Sequence, residues 1–199
     1  MRILVVGAAG DIGRAACREL EQRHEIIRAG RSSGDVIVDM ADRAAVDAMY
    51  AELGEVDAVV SAAGEVHFAP LEEQDTDTLL AGLRQKTMGQ INLVLAGLEH
   101  VAEGGSFTLT SGVLDRDPIR MGVGAAMANG ALAGFVTGAA IEMPRRLRLN
   151  VVSPGLLDVS VPRYGNWFPG HEPVASERVG RAYAKSVEGA LTGQVIIVG

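Results

Sequence analysis

The chain has 199 residues, 48% of them hydrophobic and 22% charged, with a formal net charge of −7. That length suits one doubly wound domain over residues 1–199 and leaves little for a second. The acidic balance argues against a nucleic-acid partner, which needs a basic patch, and the single cysteine, Cys17, excludes an internal disulfide or a thiolate metal cluster.

Ile3–Val6 is a short apolar run closed by Gly7, which predicts a buried strand. A helix is expected over Asp11–Arg23, with Ile12, Ala15, Ala16 and Leu20 on one face and Cys17 as a small buried residue. Strands follow at Glu25–Ala29 and Asp35–Val38. Asp42 opens a helix that runs to Leu53 and that Gly54 stops. Val56–Ser61 is a strand, and Leu71–Glu103 is read as helix in one or two pieces, broken by Gly104 and Gly105. A strand is expected at Ser106–Thr110, then a long helix of small residues over Met121–Met143, closed by Pro144. A strand at Leu147–Val152, a helix at Val174–Ala190 and a strand at Gln194–Val198 complete the order. No apolar run is read as reaching the ~18 residues of a membrane span. The N-terminus lacks the flanks of a signal peptide, so a cytoplasmic protein with no membrane partner is expected.

Strands alternating with helices imply parallel pairing, and strands without polar alternation imply burial on both faces. The fold expected is α/β: a doubly wound parallel sheet of the Rossmann type, in three layers α/β/α. Ligands of such sheets bind at the carboxyl ends of the strands, at the topological switch point. That rule selects Gly7–Gly13, Arg31, Asp39, Ala62–Gly64, Thr110–Ser111 and Pro154–Gly155. Residues 156–173, rich in Pro and Gly and holding Trp167, read as a mobile substrate loop.

Gly7, Gly10 and Gly13 are spaced G-x-x-G-x-x-G between a strand and a helix. Glycines allow a tight turn and close approach of a pyrophosphate to backbone amides, and the helix N-terminus adds partial positive charge. Ala9, Asp11 and Ile12 belong to the same candidate site. The second strand ends in Gly30-Arg31-Ser32-Ser33, without the acid that holds an NAD ribose. Arg31 and Ser32 can pair with a 2′-phosphate, so NADP(H) is the expected cofactor; a solvated loop charge is the alternative for Arg31. Asp39, followed by Met40, is placed at the adenine or is a plain loop acid.

These motifs, with three others, resemble the short-chain dehydrogenase/reductase family over nearly the whole chain. Asp57–Gly64 is similar to the family's strand and N-N-A-G turn, with Ser61 and Ala62 in place of the asparagines, followed by Ala63 and Gly64. Leu149–Gly155 resembles its R-V-N-x-V-x-P-G strand, and Thr192–Val198 its closing strand. The resemblance implies cofactor contacts at Ser61, Ala62, Ala63 and Gly64 and at Pro154, Gly155 and Leu156. It also exposes departures. The Tyr and Lys of the family's Y-x-x-x-K fall on Ala125 and Asn129, so this is an atypical member without that pair. Ser111 keeps the place of the carbonyl-polarising serine, with a local backbone cap as the alternative. Lys86 stands where the family has Asn, and is read as a replacement acid or as a solvent-facing lysine. Asn129 completes the candidate catalytic set. The threonine after P-G is Val159 here, with Ser160 next to it. Tyr164, His67, Asp115 and Asp117 are further candidates in loops.

No His or carboxylate cluster has metal-ligand spacing, so no metal is predicted. The reading that follows is an NADP(H)-dependent oxidoreductase acting on a small carbonyl or alcohol substrate. A non-catalytic NADP(H)-binding sensor or regulatory protein is the alternative, and non-redox chemistry on the same fold a third. The small residues of the 121–143 helix permit close approach of a second copy. In the family that helix builds a dimer contact, so a homodimer or homotetramer is expected.

Overall fold

The computed structural model describes residues 1–199, and its strands fall on the short apolar runs. They are β1 (Arg2–Val6), β2 (Glu25–Gly30), β3 (Val36–Ile37), β4 (Val56–Ser61), β5 (Val101–Thr110), β6 (Arg148–Pro154) and β7 (Val195–Val198). All neighbours pair in parallel, in the order β3-β2-β1-β4-β5-β6-β7. Parallel pairing needs crossovers. The long helices supply them: α1 (Asp11–Leu20), α2 (Arg43–Leu53), α3 (Thr76–Gly82), α4 (Gly89–Gly97), α5 (Val123–Ala139) and, after the short α6 (Val161–Tyr164), α7 (Ser176–Glu188). The strand order reverses between β1 and β4, which opens a crevice above their carboxyl ends.

The sheet is doubly wound because both faces of each central strand are apolar. Leu4 and Val6 join one core with Tyr50, Leu93, Phe107 and Leu149, under α2, α4 and α5. Ile3 and Val5 join the other with Ala16, Leu20, Val179 and Tyr183, under α1 and α7. Asp42 caps α2 as expected: its Oδ1 accepts from the amides of Ala44 at 2.9 Å and Ala45 at 3.4 Å. Gly54 ends the helix at φ +69°. Cys17 is buried, which pushes its thiol up to about 11.

Several expected boundaries move. α1 ends at Leu20, three residues early, because the amides of Arg23 and His24 turn back onto the Leu20 carbonyl. The last helix is also shorter than 174–190, since Val174 is taken by a β-bridge to Leu157. The expected helix over 71–103 is a 3₁₀ turn at Leu71–Glu73, then helix from Thr76 to Gly97 with a π-helical stretch at Leu83–Met88. It stops there because Val101 is buried and pairs with Val56, so β5 starts five residues earlier than predicted. Gly104 and Gly105 lie inside β5, where the register shifts between Val56 and Ala58: a bulge, not a break. Residues 156–173, expected as an irregular loop, hold 3₁₀ turns at Asp158–Ser160 and Gly165–Trp167 around α6. Asn129 and Thr137 keep the longest helix from being one continuous apolar run. Val123–Glu142 is long and apolar enough to cross a membrane by length and composition alone. Here Ala125, Ala128, Leu132 and Val136 of that stretch are buried, the last two in the core that the sheet shares with α2 and α4.

Candidate active site

Gly7 leaves β1 at φ +84°, and a Cβ there would sit 2.7 Å from the Ala62 carbonyl oxygen. The turn can therefore lie against the end of β4 only as glycine. Gly10 precedes α1 without any side-chain cap. The first amides of a helix have no intrahelical acceptor, and a Cβ on Gly10 would meet nothing nearer than 3.5 Å. The turn is thus an open cradle with donors at its floor. Gly13 does something else: a Cβ there would lie 2.1 Å from the Gly7 oxygen. It packs α1 onto the turn and does not reach the cleft surface, which corrects its assignment as a contact residue.

Two adjoining cavities occupy the crevice, of about 790 and 250 Å³, sharing Gly10, Ala62, Gly64 and Glu65. Gly7, Arg31, Asp39, Met40 and Ala63 line the smaller one. Ala9, Asp11, Ile12, Lys86, Ser111, Asn129, Pro154, Gly155 and Leu156 line the larger. Ser61 and Ser32 line neither. Ser61 is fully buried with its hydroxyl 3.9 Å from the Met40 sulfur; strand alternation turns it into the sheet, and Ala62 reaches the cleft instead. Ser32 points to solvent from a bend. Arg31 Nη2 lies 3.0 Å from Glu65 Oε1, with both side chains more than half exposed. Asp39 Oδ1 accepts from the Ala41 amide at 3.0 Å.

At the deep end, Ser111 is held by its neighbours. Gln90 clamps the Thr110 backbone, donating to its oxygen and accepting from its amide, each at 2.8 Å. The Thr110 hydroxyl donates to the Ser61 oxygen at 2.5 Å and contacts the Tyr183 hydroxyl at 2.5 Å. The Ser111 amide donates to Val152 at 3.0 Å. Its own hydroxyl is buried with no partner, and so is Asn129 Oδ1. Asn129 Nδ2 donates to the Gly112 oxygen at 3.2 Å, which aims the side chain from α5. Ala125, one turn earlier, lines the same cleft and leaves room there.

Lys86 lies on the π-helical stretch, a distortion frequent at functional sites. Its stem crosses Gly64, where φ is +131° and a Cβ would fall 2.7 Å from Lys86 Cγ. Its Nζ donates to the Ser111 oxygen at 3.3 Å. The residue is partly exposed along the cleft while its ammonium is closely surrounded by protein. Burial brings its pKa down to about 8, against the opposing charge of Asp115.

The Asp11 side chain works across the mouth. Arg14 Nη2 bonds its Oδ1 at 2.9 Å, and Ser160 Oγ bonds its Oδ2 at 2.7 Å alongside Arg163. Burial would raise this carboxyl, but the bonds from Ser160, Arg14 and Arg163 bring it below its ordinary range. Ser160 is therefore committed to Asp11, and Val159 is exposed away from the cleft. Of the other loop candidates, Tyr164 lines the cleft and His67 does not. Asp117 pairs with His171 at 3.5 Å, and Asp115 with Arg116 at 3.0 Å. Phe68, Phe168, Leu114 and Gln90 are site residues with no local signal in the sequence; the first three share only their apolarity with the core.

Known proteins share this fold. The family described as enoyl-(acyl carrier protein) reductase matches residues 3–181. The crystal structure of the protein lin1944 from Listeria innocua is 46% identical, with a TM-score of 0.98 over 100% of both chains. A small-chain dehydrogenase in complex with NADPH is 23% identical at TM-score 0.86, covering 100% of this chain and 96% of that one. A short-chain dehydrogenase from Burkholderia cenocepacia J2315 in complex with NADP is 22% identical at TM-score 0.85, covering 99% and 95%. At that identity the last two speak to the fold alone. Glucose and ribitol dehydrogenase homolog 2 of Arabidopsis thaliana is 29% identical over 111 residues, which is 55% of this chain but 38% of the plant protein.

Proposed function

We propose that this chain, which belongs to the short-chain dehydrogenase/reductase family, is an NADP(H)-dependent oxidoreductase that acts on a small carbonyl or alcohol at Ser111, Lys86 and Asn129. One observation carries the reading: a buried serine hydroxyl without a partner, next to a desolvated lysine, faces the same cleft as the glycine turn. An unpaired buried hydroxyl is costly and marks a place where a ligand completes the bonding.

The residues fit the coenzyme. The open cradle at Gly10 and the uncapped start of α1 suit a pyrophosphate. Arg31, at the end of β2 with no ribose-binding acid beside it, suits a 2′-phosphate. Its exposed pairing with Glu65 is worth ~1 kcal/mol at most, so a phosphate can displace it. When bound, the nicotinamide coenzyme supplies or accepts the hydride.

The chain's own residues do the rest. Ser111 Oγ donates to the substrate carbonyl oxygen, from a position that Gln90 and Thr110 fix in advance. Lys86 Nζ holds a proton near neutral pH and passes it to that oxygen; in the reverse direction the neutral amine takes the alcohol proton. Asn129 Oδ1 accepts from the substrate or from a water that relays the proton.

The test is oxidation of NADPH by a panel of carbonyl compounds. Ser111→Ala and Lys86→Ala are each expected to lower kcat about a hundredfold while NADPH affinity stays within a few-fold. Ala125 and Asn129 in the places of the usual Tyr and Lys favour one competing reading, a non-catalytic NADP(H) sensor. Tight NADPH binding without turnover over the panel selects that reading, and no uptake of NADP+ or NADPH by calorimetry defeats both.

A further inference from the structure

We propose that the outer end of the larger cleft is a subsite for the aromatic ring of a carbonyl compound, seated against Phe68 and Trp167. The inference rests on the oxidoreductase reading for its carbonyl and on separate observations for its ring.

The chain has eight aromatic side chains in all: four Phe, three Tyr and one Trp. Tyr50, Phe107 and Tyr183 are fully buried, and Phe135 packs against the core. The other four, Phe68, Tyr164, Trp167 and Phe168, line this one cleft. Tyr164, Trp167 and Phe168 are near neighbours in sequence, but Phe68 reaches them from a distant segment. Phe68 and Trp167 lie 5.9 Å apart between centroids at 51°, and Tyr164 and Trp167 6.5 Å apart at 58°. Despite these contacts Trp167 is 46% exposed and Tyr164 44%. Arg163 lies over the Tyr164 ring, 5.4 Å from its centroid, so Phe68 and Trp167 present the surface left for a further ring, and a pocket lined by such side chains with few polar groups is the usual form of a small-molecule site.

Charge orients the ligand. Arg14 and Arg163 are bound to Asp11, and Arg31 to Glu65. Lys86 makes no ion pair, and its ammonium sits at Ser111, where the carbonyl belongs. The one cation lining the cleft without a carboxylate partner thus lies at its deep end, and the outer end is aromatic. The cleft therefore suits a molecule that is polar at one end and apolar at the other. The carbonyl would lie at Ser111 and Asn129, with the ring outward along Leu114 and Leu157 to the aromatic cluster.

Trp167 is the only tryptophan, so its emission reports this end of the cleft. NADP+ is titrated first by calorimetry. The saturated complex is then titrated with acetophenone and acetone, by calorimetry and Trp167 emission. Acetophenone is expected to bind about tenfold tighter than acetone and with a saturable change in emission. Phe68→Ala and Trp167→Leu should each remove that preference while NADP+ affinity stays within about twofold. Undetectable acetophenone binding, or equal affinity for acetone, overturns the subsite. If NADP+ itself does not bind, the coenzyme reading falls instead, and the same titrations of the protein alone decide the subsite by the same criteria.

Discussion

Replacing Lys86 by Met should stabilise the protein near neutral pH and remove a rise in stability on the alkaline side. The Lys86 ammonium titrates at about 8 instead of 10.5, because burial weakens its solvation more than the Asp115 carboxylate restores it. Below pH 8 the folded and unfolded chains both hold the proton, and the fold bears the whole penalty of a poorly solvated charge. Between pH 8 and 10.5 the unfolded chain still binds the proton that the folded chain has released, so stability increases with pH. That separation corresponds to about 3 kcal/mol across the window. Met keeps an unbranched stem over Gly64 and removes the charge. Urea denaturation of both proteins at unit pH steps from 7 to 10 measures the effect. The variant should be more stable by up to about 3 kcal/mol at pH 7, with the difference shrinking as the pH approaches 10.5. A difference that stays constant with pH would show that the Lys86 ammonium is well solvated, and the argument for a poised acid would fail with it. An active site that holds such a group trades stability for reactivity, as is common where catalysis needs a strained or desolvated charge.

Four other substitutions test the remaining parts of the cleft. Gly13→Ala drives a methyl group into the Gly7 carbonyl oxygen and should destabilise the fold by about 1–3 kcal/mol, with loss of NADPH binding; an unchanged melting temperature contradicts the close packing. Glu65→Gln frees Arg31 and should tighten NADPH two- to fivefold while leaving NADH unchanged, as expected of an exposed pair worth ~1 kcal/mol. Arg31→Ala should weaken NADPH about tenfold or more, and equal effects on both coenzymes in either variant would remove Arg31 from the 2′-phosphate site. Gln90→Leu leaves the Thr110 amide and carbonyl unpaired in the core and should cost about 2 kcal/mol or more. It should also lower kcat for NADPH oxidation with little change in coenzyme affinity; full activity would mean that Ser111 does not depend on that clamp.

Much of the candidate site was legible in the sequence because its turn and strand-end residues carry local chemistry. The Gly7–Gly13 spacing, the missing acid before Arg31 and the strand-end segments at Ala62–Gly64 and Pro154–Leu156 all read directly, and all but Gly13 lie on the cleft. Lys86, Ser111 and Asn129 were found by alignment to a family motif, and the fold brings them to one cavity. Other parts were hidden. Ser61 has the composition of a cleft residue, but the phase of β4 turns it inward. Gln90 reads as one polar residue in an apolar helix, and nothing nearby in the chain announces that it grips Thr110, twenty residues away. The start of β5 was misread because Val101 and Gly104–Gly105 lose their meaning without the partner strand.

Periodicity and turn chemistry by themselves determined the alternation of strands and helices, the parallel sheet and the phosphate turn, since each depends on residues within one or two turns of chain. The register of the strands and the meeting of distant segments were decided only by the tertiary structure. Packing chose which face Ser61 took, left the Ser111 hydroxyl without a partner, and joined Phe68 to Trp167 across 98 intervening positions. Such outcomes depend on which surfaces exclude water together, and no stretch of sequence holds that information alone.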